Sequence, residues 1–198
     1  GDFYNFSDLG NNKFGFGVAD VSGKGIKSSL LMSKASSLYR CLSKTIFSAS
    51  TLIKILNDEI CETTTRGMFV TMIVGVYDKN KNELLLSNAG HEPPLIFSKD
   101  GNFKTIDEAG PPLGIAPNFK FTEQTISFKE SSMYIFTDGI TEMKNNNGEM
   151  LGQEGFQDYI KKYQSTPNNK RLQKMIEDLI GSGRIQKDDL TIVTVDGK

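Results

Sequence analysis

The chain has 198 residues, with 23 lysines and arginines against 24 aspartates and glutamates, for a net charge of −1. A single domain of this size can bury roughly 70% of the surface that its unfolded chain exposes, whereas the balanced charge gives no basic surface of the kind that binds nucleic acid. The longest apolar stretch, at residues 68–77, is far shorter than the roughly 20 residues that cross a bilayer. We therefore expect one soluble domain that contacts neither nucleic acid nor membrane directly.

The first half of the chain predicts two β-hairpins separated by two helices. Apolar and small side chains alternate on either side of a turn-forming sequence near Asn11. The segments that follow carry apolar residues three and four positions apart, as amphipathic helices do. The predicted elements are strands at residues 2–7 and 13–20, helices at 26–42 and 52–60, and strands at 68–77 and 83–88.

The second half, punctuated by proline and glycine, predicts short strands and two helices. Thr166 and Pro167 predict the N-cap and the first residue of the last helix, which would end at Gly181. The predicted elements are strands at residues 95–97, 119–128, 133–136 and 190–195, and helices at 151–163 and 167–181. Because hairpins dominate and helices do not alternate regularly with strands, we predict an α+β fold with mostly antiparallel sheets.

Cys41 and Cys61 both fall in predicted helices, and neither has a His or Cys partner at zinc-ligand spacing. This use of cysteine is typical of a reducing compartment, so we expect a cytoplasmic protein. The chain opens at Gly1 directly into a strand pattern, without a basic or signal-like start. We infer a domain cut from a longer protein.

Aspartates fall where the predicted strands begin or end. If the first hairpin turns near Asn11, facing residues have numbers that add up to about 22, which places Asp2 opposite Asp20. Like charges that face each other destabilise a sheet, so this pair favours a bound cation or good screening by water. Turn chemistry explains any one of these aspartates by itself, which leaves a purely structural role open.

A second group of aspartates is predicted at the end of a neighbouring strand pair. Asp138 closes the strand at residues 133–136, while Asp188 and Asp189 open the last strand. The end of one antiparallel strand lies beside the start of its neighbour, so the two groups could converge at one rim. An all-oxygen cluster of that kind suits Mg²⁺ or Mn²⁺ rather than zinc.

Six segments, in this order, resemble motifs of the metal-dependent serine/threonine protein phosphatases (the PPM, or 2C-type, superfamily), and more narrowly of their bacterial SpoIIE-like branch. The matching segments are Gly-Asp-Phe-Tyr at 1–4, Val-Ala-Asp-Val-Ser-Gly-Lys-Gly at 18–25, Met-Phe-Val-Thr-Met at 68–72, Asn-Ala-Gly-His-Glu-Pro-Pro at 88–94, Phe-Thr-Asp-Gly-Ile-Thr-Glu at 136–142 and Asp-Asp-Leu-Thr-Ile at 188–192. Each motif alone is a weak signal. The ordered set, which covers nearly the whole chain, is a specific one.

The resemblance implies one phosphatase domain over residues 1–198, built as a sandwich of two mostly antiparallel β-sheets flanked by α-helices. It also implies a centre of two Mn²⁺ or Mg²⁺ ions at one end of the sandwich. On the matching positions, Asp20 would bridge both ions, and Asp2 with the carbonyl of Val21 would complete one side.

The second ion would be held by Asp138 and by the first acid of the Asp188-Asp189 pair. Asp188 fits the motif better, and Asp189 stays open. The resemblance further implies hydrolysis by a metal-activated water, without a covalent phosphoenzyme. Asp20 and Asp138 are the residues on which catalysis would depend most.

The implied function is a protein serine/threonine phosphatase acting on phosphoserine or phosphothreonine. In the SpoIIE-like branch the usual substrate is a STAS-domain anti-sigma-factor antagonist, within a bacterial partner-switching pathway that controls sigma factors. The branch also implies an N-terminal sensory or regulatory domain in the full-length chain, which could be membrane-anchored. A homodimer is left open.

The sequence departs from the superfamily at two positions. Ser22 stands where many eukaryotic-like relatives have a histidine that is a candidate general acid, and Asn5 stands where the branch usually has an aspartate. The only histidine, His91, lies in the Asn-Ala-Gly-His-Glu-Pro-Pro segment, where either a structural or a catalytic role is open.

Two other functions compete with a phosphatase. The Ser-Gly-Lys-Gly sequence at residues 22–25 could cradle a nucleotide phosphate, but it lacks the spacing of a P-loop. A non-catalytic metal-binding module that docks a signalling partner would keep the fold without the chemistry. The retained acids favour the enzyme, because a docking module does not need a costly cluster of like charges.

Overall fold

The computed structural model describes residues 1–64 and 67–197. In that part of the chain nine strands and five helices form. They are β1 (Phe3–Asp8), β2 (Lys13–Val21), α1 (Ile26–Leu42), α2 (Ala49–Thr63), β3 (Val70–Asp78), β4 (Glu83–Ala89), β5 (Leu95–Ser98), β6 (Phe103–Thr105), β7 (Gln124–Ser127), β8 (Ser131–Phe136), α3 (Asp138–Thr141), α4 (Gly152–Tyr163), α5 (Asn168–Gly181) and β9 (Ile192–Asp196).

The strands form two sheets. One has five strands in the order β1-β2-β3-β4-β7, and the other has four in the order β6-β5-β8-β9. All four pairings of the larger sheet are antiparallel, as are the pairings of β5 with β6 and with β8. The predicted α+β class with antiparallel sheets is confirmed.

The chain divides into two compact units, residues 1–135 with the C-terminal residues from 194, and residues 136–193.

In the first unit, α1 and α2 pack on one face of the five-stranded sheet. The period of two along β2 sends Ala19 and Val21 into the core beneath the helices. Gly17 lies on the same face, where a Cβ would come within 2.7 Å of the Tyr39 ring. Glycine at this position therefore allows α1 to approach the sheet closely.

The opposite face of the five-stranded sheet is also apolar. Phe16 and Val18 are buried there, on the face that alternates with the helix side. Phe16 and Tyr77 line a cavity of about 300 Å³ together with Thr194 and Val195 of β9. The two sheets therefore come close at this edge of the first unit.

The second unit is built on two amphipathic helices. Phe156 and Ile160 of α4 and Met175 and Leu179 of α5 are among its buried residues. The Phe136 and Phe156 rings are in contact, with their centroids 4.9 Å apart. Burial of these apolar side chains is the main force that holds such a helix pair together.

The structure corrects three expectations about secondary structure. The strand predicted over residues 119–128 is only Gln124–Ser127, because Phe119 and Phe121 pack edge-to-face with each other in the preceding loop. Strand β6 and the one-turn helix α3 were not predicted. Thr166 is not the N-cap of α5, since its N–H bonds to Tyr163 in the turn that ends α4, and Pro167 takes the N-cap position.

Candidate metal centre

The first unit brings Asp2, Asp20 and Val21 together at the open end of the first hairpin. The β1–β2 register pairs Phe3 with Ala19, so the next step sets Asp2 opposite Asp20, as the sequence predicts. A Cβ on Gly1 would lie 2.8 Å from the carbonyl oxygen of Val21. This end of the hairpin therefore offers two carboxylates and a main-chain carbonyl.

Asp20 is also paired with β3, where its register partner is Thr71. The Thr71 hydroxyl donates to the carbonyl oxygen of Asp20 at 3.4 Å and lies 3.0 Å from Nδ1 of His91. Thr71 is not among the site residues predicted from the sequence. Its signal is the Met-Phe-Val-Thr-Met segment, but only the strand register reveals that its threonine faces Asp20.

His91 is held in a tight turn and is only 4% exposed. The Asn88 side chain accepts the His91 N–H at 2.8 Å and donates to the His91 carbonyl at 3.0 Å. Gly90 has φ of 68°, and a Cβ there would come within 2.7 Å of Pro112, so the turn requires glycine. These contacts fix the backbone on both sides of the imidazole.

Ser22 fastens the loop that follows Asp20. Its hydroxyl accepts the Phe69 N–H at 2.9 Å, and its own N–H donates to the Phe69 carbonyl at 3.0 Å. The Ser28 hydroxyl donates to the Ser22 carbonyl at 3.0 Å. The residue that stands in place of a histidine thus ties the loop to the segment just before β3 and to α1.

In the second unit, Asp138 lies beside the Asp188-Asp189 pair. The Thr137 N–H donates to the Thr191 carbonyl, and the Thr191 N–H donates to the Thr137 hydroxyl, both at 3.2 Å. These bonds join the residue before Asp138 to the start of the last strand, as the sequence predicts. A Cβ on Gly139 would lie only 2.0 Å from the Asp189 carbonyl oxygen, so the two backbones touch at this point.

The choice between Asp188 and Asp189 stays open. Both are exposed, and Oδ1 of Asp188 accepts the Asp189 N–H at 2.9 Å. The Gln186 side chain donates to the Asp188 carbonyl at 3.0 Å. Each carboxylate therefore sits on a turn whose backbone is already held.

Within residues 1–64 and 67–197, no group of three or more His, Cys, Asp or Glu side chains is close enough to share a metal ion. The candidate ligands form two sets, one in each unit. The first holds Asp2, Asp20 and the Val21 carbonyl, and the second holds Asp138 with Asp188 and Asp189. All their donors are oxygens, which fits Mg²⁺ or Mn²⁺ and not a soft-ligand zinc site.

The two cysteines lie in helices, and neither is close in sequence to a member of the two carboxylate sets. Cys41 is exposed on α1, and Cys61 is half-buried on α2. Burial raises the pKa of the Cys61 thiol, which donates to Oδ1 of Asn57 at 3.6 Å. A raised pKa suppresses the thiolate that a covalent phosphocysteine mechanism needs.

Comparison with known proteins identifies one family over most of the chain. Residues 10–198 match the model for Stage II sporulation protein E (SpoIIE). Phosphoserine phosphatase RsbU of Bacillus subtilis strain 168 is 28% identical over 198 residues, which cover 98% of this chain and 58% of RsbU. The chain thus spans little more than half the length of that relative.

Solved structures show the same fold at low sequence identity. The SiaA-PP2C domain of Pseudomonas aeruginosa superposes with a TM-score of 0.86 at 15% identity, covering all of this chain and 80% of that one. RsbX in complex with magnesium gives a TM-score of 0.73 at 17% identity, covering 98% of this chain and 85% of RsbX. The predicted 2C-type phosphatase fold is confirmed.

Among the described residues, no helix is both long and apolar enough to span a bilayer.

Proposed function

Because the chain belongs to the SpoIIE family, we propose that it is a metal-dependent phosphatase that hydrolyses phosphoserine and phosphothreonine in proteins. The observation that carries this proposal is the register that sets Asp2 opposite Asp20 at the end of the first hairpin. Carboxylate oxygens brought together in this way are the donors that Mg²⁺ and Mn²⁺ prefer in proteins.

The two carboxylate sets would divide the binding of the metal. Asp2, Asp20 and the Val21 carbonyl would hold an ion in the first unit, and Asp138 with Asp188 or Asp189 would hold one in the second, for two ions in all. Bound Mn²⁺ or Mg²⁺ would supply an activated water and neutralise charge on the phosphoryl oxygens. The crystal structure of RsbX with magnesium supports this choice of metal.

The reaction would be a direct hydrolysis. Water forms the new bond to phosphorus, the bond from phosphorus to the serine oxygen breaks, and that oxygen leaves with a proton as the free hydroxyl. The chain's contribution is to hold Asp20 and Asp138 in place, since preorganised ligands account for much of such catalysis.

For the substrate we propose a phosphorylated STAS-domain protein in a bacterial partner-switching pathway, in the cytoplasm. RsbU is a phosphoserine phosphatase, which supports phosphoserine as the target. The length of RsbU beyond the matched region supports a regulatory segment in the full-length chain.

Metal removal and return tests the proposal. Wild type and Asp138→Asn are assayed on para-nitrophenyl phosphate and on a phosphoserine STAS-domain protein across Mn²⁺ and Mg²⁺ titrations. We expect turnover by wild type that EDTA abolishes and added metal restores, and none by Asp138→Asn. Partner binding without turnover in either metal would instead favour the docking module.

A further inference from the structure

We propose that Thr71 and His91 act as a positioning pair for Asp20, an inference that rests on the proposed function. Asp20 and Thr71 are direct partners in the β2–β3 register, so their side chains project from the same face of the sheet. His91 reaches the same hydroxyl from the turn that follows β4. Two segments distant in sequence thus converge on Asp20, one of the proposed metal ligands.

The chemistry of the hydroxyl fixes the direction of the hydrogen bonds. Thr71 Oγ1 carries one proton and contacts both Nδ1 of His91, at 3.0 Å, and the carbonyl oxygen of Asp20, at 3.4 Å. A carbonyl can only accept, so the hydroxyl proton goes to Asp20. Nδ1 of His91 must then carry a proton and donate it to Thr71. The relay therefore assigns the Nδ1–H tautomer to the imidazole.

The burial of His91 favours a positioning role over that of a proton donor to substrate. His91 is 4% exposed and is clamped through its backbone by the Asn88 side chain. Nδ1 lies within hydrogen-bond distance of the Thr71 hydroxyl, which in turn donates to the Asp20 carbonyl. His91 thus acts through Thr71 and is a positioning residue, as outer partners of metal ligands commonly are.

The consequence lies in metal affinity. A hydrogen bond to the Asp20 carbonyl restrains the peptide that follows Asp20, and with it the direction of the carboxylate and of the Val21 backbone. Loss of an outer partner of a metal ligand typically costs 10- to 100-fold in metal affinity. Because this bond is long, at 3.4 Å, we expect the lower end of that range.

Thr71→Val tests the pair, since it removes the hydroxyl and keeps the branched shape. The Mn²⁺ dissociation constant is measured by calorimetry, together with the urea unfolding midpoint. We expect Mn²⁺ binding about tenfold weaker than wild type, and recovery of most of it in Thr71→Ser. The matched control is Ser87→Ala, which removes another buried hydroxyl from the same sheet and should leave Mn²⁺ affinity unchanged.

His91→Asn separates positioning from proton donation, because the amide keeps a donor near the position of Nδ1. We expect Mn²⁺ affinity close to that of wild type and a kcat at saturating Mn²⁺ within about threefold of wild type. A large loss of kcat at saturating metal, together with loss of the alkaline limb of the pH–rate profile, would overturn the inference in favour of a general acid.

The failure of this inference differs from the failure of the proposed function. Wild type that neither binds Mn²⁺ nor turns over substrate refutes the phosphatase. Wild type that does both, with unchanged Mn²⁺ affinity in Thr71→Val, refutes only the positioning pair.

Discussion

The substitution Gly139→Ala adds a methyl group that directly perturbs the second carboxylate set, Asp138 with Asp188 and Asp189. A Cβ on this residue would lie 2.0 Å from the carbonyl oxygen of Asp189 and 3.1 Å from its carbonyl carbon. Non-bonded carbon and oxygen atoms approach no closer than about 3 Å, so the two backbone segments must separate by roughly 1 Å. The residues displaced relative to each other are Asp138 and the Asp188-Asp189 pair.

The size of that displacement sets the expected effect. Catalytic groups must hold their geometry to within about 0.5 Å, and a misplacement of about 1 Å can cost roughly 100-fold in rate. We therefore expect Gly139→Ala to lower kcat/KM about 100-fold. The forced contact should also lower the free energy of unfolding by about 1–3 kcal/mol, the usual cost of overpacking.

Gly181→Ala is the matched control in the same unit. A Cβ at the end of α5 meets nothing within 4 Å, so this variant should keep wild-type activity and gain up to about 1 kcal/mol of stability. Para-nitrophenyl phosphate hydrolysis across a Mn²⁺ titration, with urea unfolding of each protein, measures both quantities. Wild-type activity and metal dependence in Gly139→Ala would refute the reasoning.

Three further predictions concern α2 and the cysteines. A hydrogen bond from Lys54 lowers the pKa of Asp58. Asp58 should therefore stabilise the fold at neutral pH and lose that contribution as the pH falls through its lowered pKa. Urea unfolding of wild type and Asp58→Asn from pH 7 to 3 measures this loss of stability. Iodoacetamide should label exposed Cys41 before half-buried Cys61, whose pKa is raised by burial, and equal rates in peptide mapping would contradict this. Ser48→Ala removes the side-chain cap of α2 and should cost about 1 kcal/mol in urea unfolding, and no change would refute the cap.

The parts of the fold predicted well are those set by local pattern. Helix α1 spans the predicted residues 26–42 because its apolar spacing is regular. The register that pairs Asp2 with Asp20 follows from a turn of fixed length near Asn11. The strand prediction over residues 119–128 failed because Phe119 and Phe121 pack their rings against each other in a loop, a tertiary effect that strand patterning does not reveal.

The aspartates of the candidate site can be proposed from the sequence, whereas the residues that hold them in place cannot. Acidic residues at strand ends, together with ordered family motifs, point to Asp20 and Asp138 as metal ligands, and this assignment stays a prediction. The link from His91 through Thr71 to Asp20 joins three separate segments, and only the register of β3 against β2 aligns them. The sequence likewise indicates only that Ser22 lies in a turn, whereas its role in holding the loop after Asp20 depends on the distant Phe69.

The central claim is that Asp20 binds the metal that drives hydrolysis, and paired substitutions at the two ends of the first hairpin test it most directly. Asp8 lies at the turn end, where its carboxylate accepts the Gly10 N–H, so Asp8→Asn is the matched control for Asp20→Asn. Mn²⁺ binding and phosphoserine hydrolysis are measured on both folded variants. We expect Asp20→Asn to lose metal binding and turnover together while Asp8→Asn keeps both. Wild-type turnover in Asp20→Asn would contradict the claim.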